Sequence, residues 1–112
     1  MDFSTITDSI PIPYSVGNEV VHTELRPGFD SAHRLFFVQL WEDGRLLAVH
    51  GRTDNFRHAE EPLEAIDAFL ADHGVPAVTD EEAVRVYAGL VQAEGGEGWR
   101  LMQLLTALRD QA

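Results

Sequence analysis

The stretch His33 to Trp41 limits the fold more than any other part of the chain. Read at the two-residue period of a strand, it is apolar on both faces: Leu35, Phe37 and Trp41 on one, Phe36, Val38 and Leu40 on the other. A strand with two apolar faces belongs in the middle of a sheet or between two covering layers, because neither side tolerates water. Asp43-Gly44 follows, a pair that tolerates the positive φ of a two-residue hairpin turn, and this predicts a returning strand over 45–52. Upstream, β-branched Val20, Val21 and Thr23 predict a strand over 18–26, closed by the turn pair Pro27-Gly28. Residues 18–52 are therefore expected to form a three-stranded antiparallel meander. Residues 1–17 read as an extended or poorly ordered arm. Phe3, Ile6 and Ile10 have helical spacing, but Pro11 and Pro13 end any helix early.

Three helices are predicted to follow, at about 62–73, 80–94 and 98–110, and to pack on the sheet. Pro62 suits a first helical turn, and Gly74 supplies a stop before Pro76. Thr79 and Glu82 have the spacing of a capping box, and Ala83, Val84, Tyr87, Leu90 and Val91 are the expected inward face of the second helix. Gly95-Gly96-Glu97-Gly98 reads as a connector. Trp99, expected to be buried, then opens a segment with Leu101, Met102, Leu104, Leu105 and Leu108 around a narrow polar stripe. So wide an apolar arc needs a large cover, which leaves room for a homodimer through Leu101, Leu104 and Leu108 or through the sheet edge. Strands followed by helices make the fold class α+β.

At 112 residues the chain suits one domain, 1–112. It contains no cysteine, so disulfides, thiolate metal sites and thiol nucleophiles are all excluded. No apolar run approaches the roughly 20 residues of a membrane span, and no leader pattern opens the chain. A cytoplasmic protein is the expectation. Nineteen acids face eight cations, all of them arginine, for a net charge of −11. A surface that binds nucleic acid directly needs clustered Lys and Arg, so nucleic acid is not the expected partner.

The acidity is concentrated. Residues 60–97 hold ten acids against Arg85 alone, a net −9 within the total of −11. Asp80, Glu81 and Glu82 are accounted for by the helix N-terminus they occupy. Glu60, Glu61, Glu64 and Asp67 have no such local reason, and Glu60, Glu64 and Asp67 share a helix face by their spacings of four and three. The expected function is that of a non-catalytic acidic binding protein. It would inhibit or escort a basic protein partner by mimicking the charge of nucleic acid, as immunity proteins and phage-encoded inhibitors do. A secretion-type chaperone belongs to the same class.

The rival reading is a small-ligand-binding protein or an enzyme built on the loop His50, Arg52, Asp54, Arg57 and His58. Two arginines and two histidines there have the chemistry to grip an anion. His22, His33 and His50 fall near three predicted strands, the minimum for a zinc site if they converged, but they lack local ligand spacing. His73 reads as a cation at a helix C-terminus. No nucleophile elbow, phosphate loop or cofactor motif is present, so no catalytic residue, metal or cofactor is assigned.

Overall fold

The computed structural model describes residues 7–95 together with 104, 105 and 107–109. Six strands appear among them: β1 (Ile10–Pro11), β2 (Tyr14–Val16), β3 (Glu19–Val21), β4 (Thr23–Asp30), β5 (Leu35–Glu42) and β6 (Arg45–His50). Three helices follow: α1 (Glu60–Glu64), α2 (Ile66–Asp72) and α3 (Asp80–Glu94). Residues 104, 105 and 107–109 are helical as well. The class is α+β, with antiparallel sheets. The main sheet has the order β1-β4-β5-β6, and β2 and β3 form a separate hairpin.

The two-faced strand is β5, and it lies between β4 and β6. Its residues Phe36 to Leu40 are all buried. One face, with Phe36, Val38 and Leu40, joins Leu25 and Phe29 of β4 under Ile66, Leu70, Val86 and Leu90 of the helices. Each large side chain removed from water in this way contributes about 1.5–3 kcal/mol. On the other face Phe37 is fully buried, and Gln39 beside it accepts a 2.9 Å bond from the Trp41 indole N–H. The Arg26 guanidinium stacks 3.9 Å over the Trp41 ring. Asp43 and Gly44 take φ of 49° and 79° and close the β5–β6 hairpin between Glu42 and Arg45.

The meander differs from the expectation at its first strand. The turn pair Pro27-Gly28 does not end the strand; it lies inside β4, paired with Val38 and Phe37. Within a strand, the N–H and C=O of one residue point to the same side. The Pro27 carbonyl accepts from the Thr7 N–H at 3.0 Å and from its hydroxyl at 3.1 Å, so the Pro27 nitrogen also faces away from β5. Its missing N–H removes no bond from the β4–β5 ladder. The arm is extended as expected, but β1 joins the main sheet and β2 pairs with β3 around Gly17-Asn18. Phe3 and Ile6 lie outside the described residues.

The helices differ in two ways. The first predicted helix is broken at Ala65 into α1 and α2. A continuous helix would offer the Pro62 carbonyl to the Ile66 N–H, and that carbonyl accepts a 2.9 Å bond from His50 Nε2. In α3 the inward face is Val86, Gly89, Leu90 and Ala93, whereas Val84 and Tyr87, expected inside, are 67% and 38% exposed. The reason is close approach. A Cβ on Gly89 would come within 2.8 Å of Pro27 Cγ and 2.9 Å of Thr7 Oγ1. Gly89 lets the helix approach the sheet closely between buried Val86 and Leu90, and this rotation turns Val84 and Tyr87 outward. The Thr79–Glu82 capping box is present. Gly74, at φ 72°, ends α2 with Val75 N–H bonded to Leu70 O and Gly74 N–H to Ala71 O, the pairing of a Schellman stop. Trp99 and the other residues of the 96–103 segment lie outside the described residues.

Candidate functional site

The acidic group of α1 and α2 divides into two kinds of carboxylate. Glu61 Oε1 accepts from the backbone N–H groups of Arg57 and His58, both at 2.8 Å, and so closes the loop that enters α1. Asp67 Oδ1 accepts from Val78 N–H at 3.1 Å, tying α2 to the segment before α3. These two acids hold backbone. Glu60 and Glu64 are exposed, one helical turn apart, and make no hydrogen bond or ion pair among the described residues. Pro62 and Ile66 on the opposite side of the same segment are buried, which fixes the outward direction of the two glutamates.

Further exposed acids lie on α3. Asp80 and Glu81 lie in its first turn, and Glu94 ends it. Arg85 is held by Glu81 at 2.9 Å, so the one base of the region is already neutralised on the surface. Such exposed pairs contribute little to stability, on the order of 0–1 kcal/mol.

The loop 50–58 is arranged differently. His50 is buried, its ring 4.8 Å from that of Phe56 and 4.7 Å from that of Phe69. A carbonyl only accepts, so the bond to Pro62 O requires the proton on His50 Nε2. Burial holds the His50 pKa below its ordinary value, opposed by that hydrogen bond and by the nearby Asp54 charge. The residue is a neutral core histidine joining β6 to α1. Asp54 Oδ2 accepts from Gly51 N–H at 3.1 Å and closes the turn. Arg52, Asp54, Arg57 and His58 are at the surface. Backbone bonds to Asp54 and Glu61 shape the loop, and no side chain of the five contacts another through a hydrogen bond.

The three histidines weighed as a zinc set do not converge. His22 precedes β4 and His33 follows it, so the length of that strand, roughly 25 Å, separates them. His50 lies in the core. No group of three His, Asp or Glu among the described residues is placed to hold a metal. His33 Nδ1 lies 2.9 Å from Oδ2 of Asp30, whose Oδ1 accepts from the N–H groups of Ala32 and His33. Sequence reasoning missed this buried aspartate; its signal was an Asp at the start of a turn. His73 caps α2 and meets the Phe69 ring edge-to-face at 5.0 Å. A groove of about 270 Å³ is lined by Pro11, Pro13, His22, Thr23, Glu24 and Asp43, away from both candidate groups. No helix among the described residues is long and apolar enough to cross a membrane.

No protein-family model, curated protein or solved structure matches this chain. The functional reading rests on its own residues.

Proposed function

We propose that this chain is a non-catalytic binding protein that sets an acidic helical face against a basic surface on a protein partner, and so inhibits or escorts it. Glu60 and Glu64 carry this reading. They are charged, outward, placed by a buried Pro62 and Ile66, and have no partner among the described residues to explain them. Half-buried Leu63 and Ala59 lie between charged neighbours, giving the face an apolar component. A chain with net charge −11 also produces a long-range field that draws a positive cleft toward it and disfavours acidic competitors. A partner whose cleft evolved to hold nucleic-acid phosphates fits such a surface.

Glu61 and Asp67 hold backbone, so a surface variant must keep their acceptor oxygens. The test compares the wild-type chain with Glu60→Lys, Glu61→Gln, Glu64→Lys and Asp67→Asn combined. Each is immobilised and exposed to extract of the native host, and retained proteins are identified by mass. A basic protein held by the wild type and lost by the equally stable variant supports the proposal. Identical retention by both chains, or retention of acidic proteins only, refutes it.

A further inference from the structure

Besides exposed valines on the β2–β3 hairpin and leucines on β6, two helical surfaces of this chain are apolar and open. The first is the outer stripe of α3, where Val84 is 67% exposed and Tyr87 38%, with half-buried Val91 on the same stripe and Asp80 and Glu94 at its two ends. The second is the C-terminal helical turn, where Leu104, Leu105 and Leu108 are 55%, 56% and 55% exposed beside Arg109. Single exposed apolar residues are ordinary, but rows of them on a helix mark a contact.

From this pair of surfaces we infer that the chain forms a homodimer in which Leu104, Leu105, Leu108 and Arg109 of each copy lie on the outer face of α3 of the other. Within one chain the two surfaces do not cover each other, since both remain open. Between chains they are complementary in charge as well as in apolarity. The α3 stripe is apolar with acids at its ends. The described C-terminal turn carries Arg109 and no acid, opposite in sign to Asp80 and Glu94 at the ends of the stripe. Arg109 has no carboxylate partner among the described residues. Two bodies of charge −11 repel over most of their surfaces, and this pairing brings the arginine-bearing segment of one onto the acid-ended stripe of the other. A two-fold axis makes the contact twice, so each dimer buries two leucine rows and two Val84–Tyr87 stripes. The exposed edge strand β6 is the weaker surface for self-pairing. Its register slips at Leu40/Trp41, leaving Leu47 as an extra residue, and such a bulge disfavours strand addition. The inference is independent of the acidic-face proposal, because Glu60 and Glu64 take no part in it.

The absence of native cysteine makes the test direct. Full-length chains bearing Val84→Cys alone and Leu104→Cys alone are mixed, oxidised and analysed by mass, with light scattering of the wild type at high micromolar concentration alongside. Both positions are exposed, so neither change should disturb folding, which circular dichroism verifies. The expected results are a wild-type dimer and a mixed 84–104 disulfide in excess of both symmetric products. Arg109→Glu should weaken the dimer about three- to fivefold. A monomeric wild type overturns the inference. So does a dimer that crosslinks only 104 to 104, which would mean that like helices pair. An intrachain 84–104 disulfide in the double variant at monomer mass overturns it as well, by showing that each chain covers its own α3.

Discussion

Replacing Gly89 with alanine separates local helix preference from tertiary contact. In an exposed helix interior, Gly→Ala stabilises by about 0.8–1.0 kcal/mol, because alanine loses less backbone freedom on folding. At position 89 the added Cβ would meet Pro27 Cγ at 2.8 Å and Thr7 Oγ1 at 2.9 Å. Neither neighbour yields freely. Pro27 is fixed in β4 between its β5 partner and Thr7, and the Thr7 hydroxyl is bonded to the Pro27 carbonyl. Overpacking of this kind costs about 1–3 kcal/mol, and displacing the Thr7 hydroxyl forfeits a bond worth about 1 kcal/mol. Set against the helix gain, Gly89→Ala should destabilise the fold by about 1–3 kcal/mol. Urea denaturation followed by far-ultraviolet circular dichroism measures this as a lower midpoint at unchanged slope. Adding Thr7→Ala should return part of the loss, a coupling that a double-mutant cycle isolates. A variant stabilised by about 1 kcal/mol would show that α3 does not approach β4 through Gly89, and would refute the close packing of helix on sheet at that residue.

Gly51→Ala should be costlier, at about 2–5 kcal/mol in the same assay, because Gly51 has φ 104° and a Cβ there would meet Phe36 O at 2.7 Å and Phe56 Cδ2 at 2.9 Å. Thr79→Ala removes the hydroxyl that accepts from Glu82 N–H and should lower stability by about 1 kcal/mol. His50 sets a pH dependence. Its pKa in the fold is depressed, so the unfolded chain takes up the proton first, and stability should fall as pH drops below about 6.5 and level off below the folded-state pKa. Denaturation midpoints across that range should show the fall in the wild type and a shallower one in His50→Gln; equal slopes would contradict a neutral, buried His50.

The parts of the fold legible in the sequence are those set by neighbours along the chain. The Asp43-Gly44 hairpin, the Thr79–Glu82 capping box, the Gly74 stop and the two-faced β5 all depend on residues a few positions apart. The remaining features depend on distant partners. Whether Pro27 ends a strand depends on which side its nitrogen faces, which Thr7 reveals only in space. The break at Ala65 traces to a carbonyl that His50 reaches from another strand. The rotation of α3 follows from the close contact at Gly89, which leaves Leu90 inside as its spacing suggests but turns Val84 and Tyr87 outward. The candidate site behaves alike. The outward placement of Glu60 and Glu64 follows from helical spacing, and Glu61 three residues after His58 is readable as a backbone cap. The bond from Val78 to Asp67 spans eleven residues and leaves no sequence signal. Sequence position groups His50 with the loop that follows it, and only the fold shows that its ring turns into the core.

The acidic-face account is tested most directly by the ionic-strength dependence of association with the basic partner that host extract yields. Stopped-flow association rates of the wild-type chain and of the Glu60→Lys, Glu61→Gln, Glu64→Lys, Asp67→Asn variant are compared from about 0.05 M to about 0.5 M salt, where the Debye length shrinks from more than 10 Å to less than 8 Å. The wild-type rate should fall about tenfold or more over that range, and the variant should start slower and vary little. Rates that coincide for the two chains and stay flat with salt would contradict the account, and would leave Glu60 and Glu64 as a solvated helix face.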